Sequence, residues 1–190
     1  MHSDHTIGYP DLIYTPWVMG RDEPVHVYGP KGLDEMTSHM LKAYDMDKTQ
    51  RICGLEAINP DGFGAISHEI EAGRIYEDEL IKVDAFAVDH GDTWDAYGFR
   101  FETADGVIVI SGDTRPAPAL LEACKDCDIL LHEVYSAAGF KKRPPDWQRY
   151  HSHMHTSTEE LAEIANEIKP GLVVMTHLLL WGRSEAELLE

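Results

Sequence analysis

Basic residues are scarce in this sequence. Lysine and arginine number 16 against 34 aspartates and glutamates, a formal net charge of −18. A chain of that sign repels phosphate backbones, so unspecific nucleic-acid binding is disfavoured unless a local basic patch supplies it. The fullest basic run, Lys141-Lys142-Arg143, is short. Cysteine is scarce too. Three residues cannot build a disulfide framework, and an odd count fits a reducing compartment. No apolar run approaches the roughly 20 residues that a membrane-spanning helix needs. No basic, apolar leader opens the sequence. The expectation is a cytoplasmic chain with no membrane partner. Repeats and low-complexity tracts are absent. What is present is 190 residues, 43% hydrophobic and 26% charged, which suits one globular domain over residues 1–190. Histidine, at 11, is plentiful.

Short strands alternate with helices. Residues 25–28 read as a strand closed by the turn Gly29-Pro30-Lys31-Gly32. Leu33, Met36, Met40, Leu41 and Tyr44 recur at helical spacing, which predicts a helix over 33–44. Residues 81–88 predict a strand running into His90-Gly91. Tyr97, Phe99 and Phe101 alternate with Gly98, Arg100 and Glu102, as in a half-buried strand, and Asp105-Gly106 turns it into a hairpin with the apolar run 107–110. Residues 117–124 predict a helix and 129–131 a buried strand. A capping box in Thr156-Ser157-Thr158-Glu159-Glu160 starts a helix carrying Leu161, Ile164, Ala165 and Ile168, and Pro170-Gly171 ends it. Residues 172–175 are another buried strand, and Ser184 with Glu187 forms a further capping box. The pattern is a mixed α/β architecture.

Three apolar strands finish alike. Residues 107–110 run into Ser111-Gly112-Asp113, 129–131 into His132-Glu133, and 172–175 into Thr176-His177. Strands that each end in an ionisable residue deliver those residues to one rim of a sheet. Burying a carboxylate or imidazole is costly unless it is paired or bound to a metal, so three together point to a shared site. The opening His2-Ser3-Asp4-His5 adds two imidazoles and a carboxylate, donors that suit a borderline ion such as zinc.

With His90, Asp113 and His177, the ordered set resembles the metallo-β-lactamase superfamily of dinuclear metal hydrolases, in the branch that holds ribonuclease Z and the arylsulfatase-like enzymes. That family's signature is His-x-His-x-Asp-His, then a lone His, an Asp after a strand, and a last His after a strand. His2, Asp4 and His5 match the last three ligands of the opening motif, His90 the lone His, Asp113 the bridging Asp and His177 the last His. The segment through Gly20, with Pro10-Asp11-Leu12-Ile13 and Thr15-Pro16-Trp17, looks like the arylsulfatase-like branch. The resemblance spans essentially the whole chain.

It implies an α/β fold, the αββα metallo-β-lactamase-type sandwich, and two Zn2+ ions. One site would take a His two positions before His2 together with His2 and His90. The other would take Asp4, His5 and His177, with Asp113 bridging. That first His would precede Met1, so the resemblance implies a member incomplete at its N-terminus and short at its C-terminus, with one ligand of the first site missing. An uncovered sandwich face would then favour association, such as a homodimer.

The family chemistry is ester hydrolysis by a hydroxide on the metal pair. Asp4 would orient that hydroxide. Glu133 and His155 match the branch's proton-donor relay, which serves the leaving oxygen. His151 and His153, close to His155, are equally well read as part of a solvated loop.

His2 stands where the superfamily's di-iron redox members carry Glu, which favours a hydrolase. His90 and Asp113 are only 23 positions apart (113 minus 90), and a hairpin fills the interval, leaving no room for the long arm of tRNA-processing members. With the charge of −18, this favours a small anionic or aryl ester, an aryl sulfate or phosphodiester, over nucleic acid. The alternatives are a ribonuclease Z-type tRNA 3′-processing endonuclease and a non-catalytic fragment with a partial metal site.

Other features read as structural. Cys124-Lys125-Asp126-Cys127 has redox-motif spacing but falls at a helix C-terminus, where a low-pKa thiol is not favoured. His26, His39 and His68 match no partner. Pro16, Trp17, Trp94, Trp147 and Trp181 serve a pocket rim or the core equally well.

Overall fold

The computed structural model describes residues 1–92 and 95–189. They form two compact units, Met1–Ile70 and Glu71–Glu190. Trp94 lies outside the described residues. None of the described helices is long and apolar enough to cross a membrane.

The first unit opens with a single helical turn, α1 (Ser3–Thr6), followed by α2 (Tyr9–Val18). Pro10 sits in the first turn of α2, where a missing N–H is tolerated. Strand β1 (Val25–Gly29) leads through Gly32, at φ 95°, into α3 (Leu33–Ala43) and then α4 (Asp45–Cys53). Strand β2 (Ala65–Glu69) returns parallel to β1. Tyr9, Ile13 and Leu33 form the core, with Met36, Met40 and Leu41 of α3 against them. Leu33, Met36, Met40 and Leu41 of the helical spacing read from the sequence thus face this core, while Tyr44 caps the helix and is exposed.

Two side chains close this unit. Trp17 is buried and donates its indole N–H to the Asn59 carbonyl at 2.7 Å. It is core, not rim. Arg21 donates to the carbonyls of Leu12, Ile13, Glu23, Gly62 and Gly64 at 2.7–3.1 Å. One guanidinium thereby ties the helix α2 to the loop entering β2. His26 and His68 also find a partner: each other, with Nδ1 and Nε2 2.9 Å apart.

The second unit is a six-stranded sheet in chain order: β3 (Gly73–Glu77), β4 (Ile81–Val88), β5 (Ala96–Thr103), β6 (Gly106–Ile110), β7 (Ile129–Tyr135) and β8 (Leu172–Leu179). The first four pair antiparallel and the last three parallel. Parallel neighbours need crossovers. Helix α5 (Pro118–Ala123) lies between β6 and β7, while α6 (Ala137–Phe140), α7 (Pro145–Met154) and α8 (Thr158–Ile168) lie between β7 and β8. Val109, Leu120, Cys124, Cys127, Leu130 and Ile164 make the core between strands and helices. Each such aliphatic side chain contributes roughly 1.5–3 kcal/mol on burial.

The predicted capping box of α8 is formed. Ser157 Oγ accepts the Glu160 amide at 3.1 Å, and Glu160 Oε2 accepts the Ser157 amide at 2.8 Å. The cysteine pair departs from the reduced state expected from its count. Cys124 and Cys127 are disulfide-bonded and buried in the core.

Candidate active site

Strand direction decides where the ionisable residues go. Strand β4 is antiparallel to β5, and β5 to β6, so β4, β6, β7 and β8 all point the same way. Their C-terminal ends share one rim, the usual place for a site on a sheet of this kind. His90 follows β4 and Asp113 follows β6. Glu133 and His177 lie inside β7 and β8, which run further than the apolar sequence runs suggested.

Each residue is aimed by a local device. Gly112 adopts φ 62°, and a Cβ there would run into the Tyr97 carbonyl. Only glycine lets the chain turn so tightly before Asp113. In the β7–β8 ladder Glu133 pairs with Thr176 and Val134 with Leu178, which leaves His177 as the extra residue of a bulge. Its φ is 43°, uncommon outside glycine. Bulges of this sort re-aim side chains at sites. His155 is the residue that ends α7, and its extended backbone follows a proline-started helix. Residues 151–154 belong to that helix rather than to a loop; His151 is buried, while His153 is exposed as the solvated reading expected.

The donors converge. Those of His90, Asp113 and His155 lie within 4.8 Å of one another, as do those of Glu133, His155 and His177. Asp113 Oδ2 and His177 Nε2 are 3.5 Å apart. The His155 ring stacks on His177, centroids 5.6 Å apart, and meets His90 edge-on at 5.0 Å. His90 Nδ1 donates to the Met154 carbonyl at 2.7 Å, which fixes its tautomer and reserves Nε2 for the site. Two imidazoles and a carboxylate from His90, Asp113 and His177 are the donor types that zinc takes, and so fit a divalent ion. The other three residues expected as ligands belong to the first unit. His2 immediately precedes α1, and Asp4 and His5 lie in its single turn, with His5 Nε2 3.5 Å from Asp4 Oδ2.

Glu133 is almost fully buried, 1% exposed. Its Oε1 accepts from His155 Nδ1 at 2.9 Å and from the Thr114 amide at 3.0 Å. Burial pushes its carboxyl up to about 9, against the pull of the Thr114 amide. The Asp113 carboxylate adds to the rise, and His177 opposes it. A divalent cation at this rim acts in the opposite sense, favouring the carboxylate. Thr114 is a residue that the sequence did not single out, yet it links three loops. Its hydroxyl accepts the Asp89 amide at 3.1 Å, its carbonyl accepts the Thr156 hydroxyl at 2.7 Å, and its amide serves Glu133. Its only sequence signal is its place directly after Asp113.

Beside this rim stands an aromatic wall. His151 stacks on Trp147 with centroids 5.4 Å apart and meets Trp181 at 4.5 Å and His155 at 5.7 Å. Burial pulls the His151 imidazole below its usual range. Trp147 and Trp181 are therefore near the site, as one of their two readings expected.

Comparison with known proteins bears on the family and the fold. Ribonuclease Z from Mycobacterium sp. (strain KMS) is 31% identical over 184 residues, covering 94% of this chain and 63% of that protein. The chain thus spans less than two thirds of that relative's length. Among solved structures, the short form of human tRNase Z superposes with a TM-score of 0.68 at 21% identity, over 94% of this chain and 69% of that one. YhfI from Bacillus subtilis, a metallo-β-lactamase fold protein, superposes with a TM-score of 0.66 at 16% identity, over 99% and 65%. The fold is therefore the metallo-β-lactamase fold. The family described as "Beta-lactamase superfamily domain" matches residues 1–178, and the chain belongs to it.

Proposed function

We propose that this chain is a metal-dependent hydrolase of phosphodiesters of the ribonuclease Z type, acting as one domain. The carrying observation is the buried Glu133–His155 pair, placed beside His90, Asp113 and His177. The relatives named ribonuclease Z and tRNase Z support a phosphodiester over an aryl sulfate, and they outweigh the case against nucleic acid made from net charge and the missing arm. His90, Asp113 and His177 would hold a metal ion, a role that the family resemblance also gives to His2, Asp4 and His5. Such ions supply Lewis acidity and an activated water at neutral pH.

The chain's own groups handle the leaving oxygen. Glu133 Oε1 holds the proton on His155 Nδ1, so Nε2 is the atom that exchanges a proton with substrate. In the imidazolium state Nε2 donates to the departing alkoxide. The Thr114 amide keeps Glu133 oriented while this happens. For Asp4, exposed on its turn, the family resemblance implies the role of orienting the attacking water.

The test offers the zinc-loaded chain three substrates: a precursor tRNA with a 3′ trailer, bis(p-nitrophenyl) phosphate and p-nitrophenyl sulfate. Turnover of the two phosphodiesters, with turnover of the precursor tRNA lost in His155→Ala, supports the reading. Turnover of the sulfate alone restores the small aryl ester as substrate. No turnover of any, with metal bound, leaves the non-catalytic fragment.

A further inference from the structure

The acidic chain keeps most of its arginines occupied. Arg51, Arg74, Arg100, Arg115 and Arg183 each sit against a carboxylate. Arg143, from the one basic run in the sequence, does not pair with any carboxylate among the described residues. Its guanidinium lies over two indoles instead, 5.4 Å from the Trp147 ring and 5.6 Å from the Trp181 ring. Its Nε is buried and has no hydrogen-bond partner among the described residues. A guanidinium held by aromatic faces keeps its charge for something else, because stacking neither neutralises it nor uses its in-plane donors.

The surface around it is equally unspent. Trp147 is 49% exposed and Tyr150 is 42% exposed, their rings meeting edge to face at 5.8 Å. A half-exposed indole on a proline-started helix gains little for the core. It does offer a flat face to a partner. This ledge is one ring away from the proton donor, since buried His151 touches Trp147, Trp181 and His155. The ledge is thus within one ring of a leaving oxygen placed at His155 Nε2.

We propose that Arg143, Trp147 and Tyr150 form a subsite for the nucleotide on the leaving side of the scissile phosphodiester. The base stacks on Trp147, with Tyr150 as the flanking ring, and the next phosphate takes the terminal Nη donors of Arg143. Trp181 and His151 are positioning residues that hold Arg143 and Trp147 in place. Stacking of a base on an aromatic side chain with a phosphate on a cation is how single strands bind without sequence preference. The ledge also explains how a chain of charge −18 could hold an anion: the attraction is local. The proposal rests on the phosphodiesterase reading and refines it.

The test measures binding of a labelled, 2′-O-methylated oligouridylate about 10 nucleotides long to the full zinc-loaded chain by anisotropy, across a salt series. Trp147→Ala is expected to weaken binding about tenfold with an unchanged salt slope, because it removes stacking and no charge. Arg143→Met is expected to weaken it and to reduce the slope by about 0.7, the loss of one phosphate contact on a single strand. Arg143→Lys is expected to restore the slope but not the full affinity. Thermal melts identify a variant that fails to fold; Arg143→Lys, which keeps the charge and most of the volume, then decides.

Binding and salt slopes that are the same in all folded variants overturn the subsite. If the wild-type chain hydrolyses bis(p-nitrophenyl) phosphate but does not bind the oligonucleotide, the subsite fails and the hydrolase reading stands. If it does neither, both fail.

Discussion

Glu133 and His155 share one buried hydrogen bond, 2.9 Å from Oε1 to Nδ1, across 22 residues of sequence. The bond gives the imidazole a single orientation and a single useful nitrogen. A donor of this kind matters most when the leaving oxygen is a poor leaving group. His155→Ala is therefore expected to lower kcat on a ribonucleotide diester by about 100-fold or more. The loss on a p-nitrophenyl diester, whose phenolate leaves unaided, is expected to be much smaller. Glu133→Gln should reproduce the pattern at about 10–100-fold. Equal losses on both substrates would assign the pair a structural role.

Metal content tests the ligand assignments. Elemental analysis of the untagged chain is expected to find zinc, and Asp113→Ala and His177→Ala are expected to lose it. Chelation should lower the melting temperature, since an ion present at about 100 times its Kd stabilises the fold by about 2.7 kcal/mol. Zinc, but not magnesium, is expected to restore both stability and hydrolysis, because the donors include imidazoles.

Gly112→Ala probes the turn that presents Asp113. The left-handed φ of 62° alone costs an alanine roughly 1–2 kcal/mol, before the collision with the Tyr97 carbonyl. Chemical denaturation should show that loss, and metal affinity should fall with it. A variant that keeps full metal affinity would mean that Asp113 is not a ligand.

Arg21 offers five carbonyls a single clasp. Arg21→Met is expected to destabilise the chain by about 2–3 kcal/mol, because bonds to a charged donor are stronger than neutral ones and the freed carbonyls lose their partner. Arg21→Lys should recover little, since an ammonium cannot span the same fork. Urea titration measures both.

The Ser184–Glu187 cap carries a pH signature. The Ser184 amide, first, and then Arg183 hold the Glu187 carboxyl down to about 2. A depressed carboxyl contributes stability that is present above the unfolded value, near 4.5, and is lost as pH falls through about 2. A carbon-detected NMR titration of Glu187 should give its midpoint near the lower figure. A midpoint near 4.5 would mean that the cap is open in solution.

Much of this was legible in the residues, and the failures have physical causes. Strand β4 and the α8 capping box were readable because alternation and capping chemistry are local. The ends of β7 and β8 were not, because His132-Glu133 and Thr176-His177 look like a strand's exit until the ladder between the two strands continues past them. Helix α7 was hidden by its histidines. His151 is buried by Trp147 and Trp181, contacts that helical spacing and the distant turn after β8 make together. The clasp of Arg21 was invisible for a similar reason: its acceptors are backbone carbonyls, which carry no side-chain signal. The donors at the rim were the easiest part, since buried strands rarely end in charge without cause.

The bulge at His177 makes residue count along β8 a chemical variable. Side chains on a strand alternate sides, so a chain with one residue fewer there could keep a flawless ladder and still turn its imidazole to the opposite face. Flawless pairing and a working rim are thus competing outcomes for this strand, and the sequence has settled for the irregular one. Variation among related chains should therefore spare the length between Thr176 and Leu178 even where it changes the apolar residues on either side.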